Sequence, residues 1–233
     1  LKSVNFVFVK IAGMEMKRTN IKKYLVVVYF LAACAVLAGP PLVVNLSDAK
    51  RAVKDYYISY QYKEELDSII ADAIRQVKQI PITPNSAFVF DVDETALSNL
   101  EYELKYDFGF IPEEWDKWVM SERAPAIKQV KMFYDTLLSL GVKVIFITGR
   151  SEKQYTATLN NLKKAGYANF DTLICRSKDE VGLSAREYKT NKRRELTQKG
   201  YRIIGTIGDQ WSDLDGGYTI IKVKLPNYMY KVE

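Results

Sequence analysis

Histidine is missing altogether from this chain of 233 residues. That excludes hydrolases built on a histidine nucleophile and zinc hydrolases that depend on imidazole ligands. Cysteine is scarce, with only Cys34 and Cys175. If Cys34 is cleaved off or lipidated, Cys175 has no intrachain partner, so no disulfide framework is implied. An excess of positive charge is also missing from most of the chain. The formal net charge is +6, but residues 1–38 hold six Lys/Arg and one acid, leaving 28 basic and 27 acidic residues in the remainder. That body offers no electrostatic case for nucleic acid as a partner. Internal repeats and low-complexity tracts are absent too. With 48% hydrophobic and 27% charged residues, what is left is ordinary globular composition, long enough for one α/β domain with additions.

The basic residues near the start have a pattern. From Met16 the text MKRTNIKK is a positive n-region, followed by the apolar run YLVVVYFLAACAVLA, which is too short and wrongly flanked for a membrane span. Residues 16–38 are therefore expected to be a signal peptide or lipoprotein leader, and residues 1–15 upstream translation from a misassigned start. Leu31-Ala32-Ala33-Cys34 has the form of a lipobox, which would attach the chain to a membrane through a lipid on Cys34. Val36-Leu37-Ala38 before Gly39 fits ordinary signal-peptidase cleavage equally well. Either way the chain is expected to be exported, as a periplasmic or secreted protein or an outer-membrane lipoprotein. Residues 39–233 form the working domain, with a helical extension at 39–84 and a core at 85–233.

The densest information lies in Ala87 to Asn99, AFVFDVDETALSN. Apolar residues run straight into Asp91 and Asp93, as in a buried parallel strand whose carboxyl end carries chemistry. Residues i and i+2 of a strand point the same way, so both carboxylates can face one ligand. They stay ionised together only beside positive charge, and Mg2+, which prefers oxygen ligands, suits them. One carboxylate can attack while the other moves protons. A plainer alternative is a turn in which both acids cap a helix starting near Thr95. An EF-hand does not fit, because Ala96 stands where Gly is needed and Tyr102 where a bidentate Glu is needed.

The rest alternates strand and helix. Ser47 to Gln79 is mostly helical, with Leu66, Ile69, Ile70, Ala73, Ile74 and Val77 as a core-facing stripe. Strands are expected at 87–90, 142–147, 172–174, 201–207 and 218–223. Helices are expected from about Ala96, from Pro125 to Leu140, from Ser151 to Gly166 and from Thr190 to Lys199. Such units predict a doubly wound parallel sheet. The segment Leu97–Val142 is nearly filled by one helix and an aromatic stretch holding Phe108, Phe110, Trp115 and Trp118, which leaves no room for a large mobile cap. Those rings either stack on a substrate's base or aryl group or pack the helical cover onto the sheet.

Later strands also end in polar residues: Thr148-Gly149-Arg150, then Gly208-Asp209-Gln210-Trp211-Ser212-Asp213. Between them Lys189 precedes the expected helix, while Lys192, Arg193 and Arg194 have the pattern of a solvated helix face. A carboxylate nucleophile, an acid two residues on, a metal-binding acid, a lysine and a threonine hydroxyl together cover the needs of phosphoryl transfer. A phospho-acceptor receiver domain also uses Asp, Thr and Lys around Mg2+, but it needs no Asp two residues after its acceptor, and Asp93 and the leader favour a hydrolase.

DVDET, ITGR, Lys189 and GDQWSD, in this order, resemble the four motifs of the haloacid dehalogenase superfamily. The longer strings FDVDETALSN, APAI, YKT and GYRIIGTIGDQWSDL resemble its acid phosphatase branch, which includes bacterial class C and plant vegetative-storage-type proteins. The likeness spans about Tyr60 to Val223. It implies a Mg2+-dependent phosphomonoesterase, acting on a small phosphomonoester such as a nucleotide or an aryl phosphate. Asp91 would be the nucleophile and Asp93 the general acid and base. Thr95, Thr148, Gly149 and Lys189 would bind the phosphoryl group, with Thr148 and Lys189 also catalytic. Asp91 and Asp209 would hold the metal through their side chains, Asp93 through its backbone carbonyl, and Asp213 would support them. Gly149 departs from the bacterial class C pattern, which often has Asn there, and follows the plant version. Some storage-type relatives lack the nucleophile, so a non-catalytic storage or surface-binding protein is the alternative; Asp91 is intact here.

Overall fold

The computed structural model describes residues 43–232, so the leader expected in residues 1–38, Cys34 included, lies outside the described residues. Helices α1 (Leu46–Ile58) and α2 (Tyr60–Val77) precede strand β1 (Ser86–Phe90). Helices α3 (Leu100–Lys105), α4 (Pro112–Met120) and α5 (Lys128–Ser139) connect it to β2 (Lys143–Ser151). Helix α6 (Tyr155–Lys164) leads to β3 (Thr172–Arg176), and α7 (Ala185–Gln198) to β4 (Arg202–Gly208). A short α8 (Trp211–Leu214) and β5 (Ile221–Lys224) follow. All strand pairs are parallel, in the order β3-β2-β1-β4-β5. This is the doubly wound α/β sheet expected from the alternation of elements.

β1 is buried at every position, as a strand covered on both faces must be. Its two-residue period splits the core. Phe88 and Phe90 join Val144 and Phe146 of β2 beneath Leu66 and Ile70 of α2 and Phe133 and Leu137 of α5. Ala87 and Val89 join Ile145 and Ile147 against Tyr188 and Leu196 of α7. Gly205 has to be glycine here, since a Cβ on it would sit 2.1 Å from the Phe88 ring. Winding outward from β1, β2 and β3 lie to one side and β4 and β5 to the other. That reversal opens a crevice at the carboxyl ends of β1 and β4, where such sheets bind ligands.

Several local readings change. The helical stretch 47–79 breaks at Ser59, whose backbone is extended and whose hydroxyl accepts from the Gln61 N–H to cap α2. The helix expected from Ala96 begins only at Leu100. Before it, Glu94 takes the left-handed φ of 52°, and Leu97 bridges both Asp93 and Ala126. Because Ser98 N–H donates to the Pro125 carbonyl and Ile127 N–H to that of Ala96, residues 125–127 are extended and α5 starts at Lys128. Helix α7 starts five residues earlier than expected, because Ser184 and Glu187 form a capping box. Lys189 is thus inside the helix rather than before it.

The solvated face assigned to Lys192, Arg193 and Arg194 is corrected as well. Arg193 is fully buried and donates to the backbone carbonyls of Asp213, Asp215 and Gly217, tying the loop after β4 to α7. Lys192 reaches Glu180 at 2.6 Å, and Arg194 alone of the three is exposed. Among the described residues no helix is long and apolar enough to cross a membrane.

Candidate active site

Three carboxylates converge at the crevice. Asp91 follows β1 and Asp209 follows β4, while Asp213 lies in α8. Oxygens of all three lie within 4.8 Å of one another, and all three residues are buried. Gly208 makes this approach sterically feasible, because a Cβ there would lie 2.2 Å from Asp213 Oδ2. The Gln210 N–H donates to that same oxygen at 2.8 Å. Lys189 reaches in from α7, donating from Nζ to Asp91 Oδ1 at 2.5 Å and also to Asp213.

The charges do not balance without a cation. Three carboxylates face one ammonium, and burial raises the pKa of Asp91 and Asp209 well above the usual carboxylate range, with the Asp213 charge adding to the effect. Burial alone would lower the pKa of Lys189, but the carboxylates of Asp213 and Asp91 outweigh it and raise it. A compact, buried, all-oxygen donor set short of two positive charges fits a hard divalent cation such as Mg2+.

Each aspartate is held by its own partners. The Thr95 hydroxyl, expected to bind phosphate, instead accepts from the Asp209 N–H at 3.1 Å and donates to Asp209 Oδ1 at 3.4 Å. Asp209 Oδ2 accepts from Gln210 Nε2 at 2.6 Å and Asn227 Nδ2 at 2.7 Å. Asp93 is clamped by Arg150, whose Nη2 lies 2.6 Å and Nε 3.1 Å from its Oδ1. Asn99 Nδ2 adds a third donor at 2.9 Å. Thr148 is fully buried, and its hydroxyl accepts from the Arg150 N–H at 3.1 Å. Glu94 beside them is buried, bonded by Asn99 and by the Tyr230 hydroxyl, and burial pushes its pKa up to about 8.

Asp91, Asp93, Lys189, Asp209 and Asp213 line one cleft of about 600 Å³, with Gly149 and Arg150 at its edge. Phe108, Phe110 and Trp115 form another part of the lining. Trp118 does not; it is buried in the core, its Nε1 donating to Asn99 Oδ1 at 2.8 Å.

Comparison with known proteins agrees with this geometry. A family model described as HAD superfamily, subfamily IIIB (acid phosphatase) matches residues 41–233. The chain belongs to this acid phosphatase family of the haloacid dehalogenase superfamily. It is 39% identical to acid phosphatase 1 of Solanum lycopersicum over 186 residues, covering 77% of this chain and 73% of the relative. It is 33% identical to vegetative storage protein 1 of Arabidopsis thaliana, covering 80% and 71%. Among solved structures, the class C acid phosphatase from Bacillus anthracis superposes with a TM-score of 0.67 at 24% identity, covering 81% of this chain and 87% of that one. This last likeness speaks for the fold. The family is one of phosphomonoesterases, and the motifs DVDET and GDQWSD begin at the carboxyl ends of β1 and β4.

Arg150, Gln210 and Asn227 belong to the site although the sequence reading assigned them no role. Arg150 closes a quoted motif and Gln210 lies between two site aspartates, so adjacency was an available signal; Asn227, beyond the last strand, offered none. Outer partners of this kind typically govern metal affinity. Thr95→Val, which keeps the shape of the side chain, should therefore weaken divalent-metal binding by about 10–100-fold. Calorimetric titration of metal into the metal-free variant checks this; wild-type affinity would contradict the role given to Thr95.

Proposed function

We propose that the chain is a Mg2+-dependent acid phosphatase that hydrolyses phosphomonoesters through an aspartyl-phosphate on Asp91. The observation that carries this reading is the buried trio of Asp91, Asp209 and Asp213 tied by Lys189, with Asp93 in the same cleft. Asp91, Asp209 and Asp213, with the Asp93 carbonyl, would hold the Mg2+, which supplies charge neutralisation and orientation for a phosphoryl oxygen when bound. The remaining work falls to the protein. Lys189 opposes the burial that raises the Asp91 pKa and offers its ammonium to the dianionic substrate. Thr148 and Gly149, at the end of β2, contribute to phosphoryl binding.

A carboxylate oxygen of Asp91 attacks phosphorus and the bond to the leaving oxygen breaks, while Asp93 gives that oxygen its proton. The alcohol departs. Asp93, now a carboxylate, takes a proton from water as the water oxygen attacks the phosphoryl group, which frees Asp91 and inorganic phosphate. The clamp from Arg150 and Asn99 fixes the direction in which Asp93 acts. The substrate is a small phosphomonoester, with a nucleotide or aryl phosphate as candidates from the aromatic side of the cleft.

Two variants separate the proposed roles. Asp91→Asn should abolish turnover and trap no phosphoenzyme. Asp93→Asn should lose more on alkyl phosphates than on an aryl phosphate by a further factor of about 10²–10⁴, the usual worth of general acid catalysis. Equal losses on both substrates would remove Asp93 from the acid role, and no turnover by metal-loaded wild type would favour the storage reading, for which the vegetative storage relatives are the support.

Export is part of the same proposal, supported by MKRTNIKK and the apolar run after it. If the lipobox is used, labelled palmitate should enter the wild type but not Cys34→Ser. A mature N-terminus at Gly39 would mean soluble secretion, and a retained Met16 would contradict export.

A further inference from the structure

Buried carboxylates elsewhere in the cleft are all partnered. Asp91 and Asp213 have Lys189, Asp209 has Thr95, Gln210 and Asn227, and Glu94 has Asn99 and Tyr230. Glu103 on α3 is the exception. It is only 6% exposed and lines the cleft, yet among the described residues its carboxylate has no hydrogen bond or ion pair. Burial, and then the charge of Asp93, push its pKa up to about 7. Among the described residues no side-chain oxygen or nitrogen is both sealed from solvent and unbonded, so the free side of this carboxylate opens onto the cleft it lines, where a donor on a bound ligand can reach it.

The surroundings define that partner. Phe108, Phe110 and Trp115 line the same cleft, and so does Asp116, whose Oδ1 accepts from Gln154 Nε2 at 2.7 Å. Arg150 is engaged with Asp93 and Lys189 with Asp91 and Asp213, so these two cations are committed at the phosphoryl end. Beside them the cleft is lined by this unpaired carboxylate, a second acid, the aromatic rings and Lys231, with Arg150 also over the Trp115 ring at 5.7 Å. Negative charge and π-faces attract a desolvated organic cation and repel a second anionic group.

We infer that Glu103 is a specificity-determining residue, and that the cleft takes phosphomonoesters whose leaving group carries an alkylammonium. The inference rests on the cleft being the phosphomonoesterase site proposed above. The ammonium would donate to the Glu103 carboxylate with its alkyl chain along the rings, while the phosphoryl group meets Asp91 and Lys189. Bisphosphates and other doubly anionic esters would be disfavoured at the same wall.

Binding of two isosteric, non-hydrolysable ligands tests this without turnover. Calorimetry on the Mg2+-loaded protein, above neutral pH, would compare aminopropylphosphonate with butylphosphonate. The wild type should bind the amine tighter by about ten-fold, the worth of one charge-assisted hydrogen bond. Glu103→Gln, which preserves shape and removes a buried charge, should bring the two ligands to equal affinity. Equal affinity in the wild type, or a preference that survives Glu103→Gln, overturns the inference. Turnover of an aryl phosphate by the wild type, run alongside, keeps the two readings apart: an amine preference without turnover would leave Glu103 as an ammonium-binding group but sink the phosphatase reading and the leaving-group preference with it, and turnover without the preference would overturn this inference alone.

Discussion

Three carboxylates packed within 4.8 Å of one another, out of water and with one lysine among them, form the constraint around which this molecule is arranged. Like charges so placed repel strongly in a low-dielectric setting, and each must be oriented by donors or neutralised. The chain spends much of its polar sequence on that task. Lys189 ties Asp91 to Asp213, Thr95 and Asn227 turn Asp209, and Gln210 donates from both its backbone and its side chain. Arg193, through carbonyls on both sides of Gly216, pins the loop that begins with α8. The deficit of positive charge that remains beside Lys189 is one that a divalent ion is suited to meet.

The sheet makes this cluster feasible. Because β1 and β4 are adjacent and parallel at the point where the winding reverses, residues 118 apart in sequence, Asp91 and Asp209, leave their strands side by side. Gly205 lets the Phe88 ring lie against β4, and Gly208 lets Asp213 fold back over the strand end. The packing that stabilises the core and the geometry of the site are therefore the same contacts. A larger residue at either glycine would disturb both.

Much of this was legible in the sequence, for reasons that have limits. β1 announces itself because a strand buried on both faces is uninterruptedly apolar up to Asp91. Asp91 and Asp209 were legible because they follow strands directly, whereas Asp213, inside α8, was marked by the likeness of GDQWSD to a known motif. The segment between Asp93 and Leu100 was not, since its shape depends on a left-handed Glu94 and on pairing of Leu97 with Ala126, both tertiary in origin. Arg193 looked solvated because a run of cations gives no sign that backbone carbonyls wait opposite one of them. Thr95 and Asn227 act on Asp209 from 114 and 18 residues away, and no local pattern encodes such a meeting.

Thermal unfolding with and without Mg2+ decides whether the Asp91, Asp209 and Asp213 cluster holds a divalent cation. A ligand held by the folded state alone at 100 times its dissociation constant stabilises by about 2.7 kcal/mol, so Mg2+ should raise the Tm of the wild type clearly. Asp209→Asn should raise the metal-free Tm, by relieving repulsion, and abolish the response to Mg2+. A wild-type Tm indifferent to Mg2+, or an equal response in Asp209→Asn, would contradict the account.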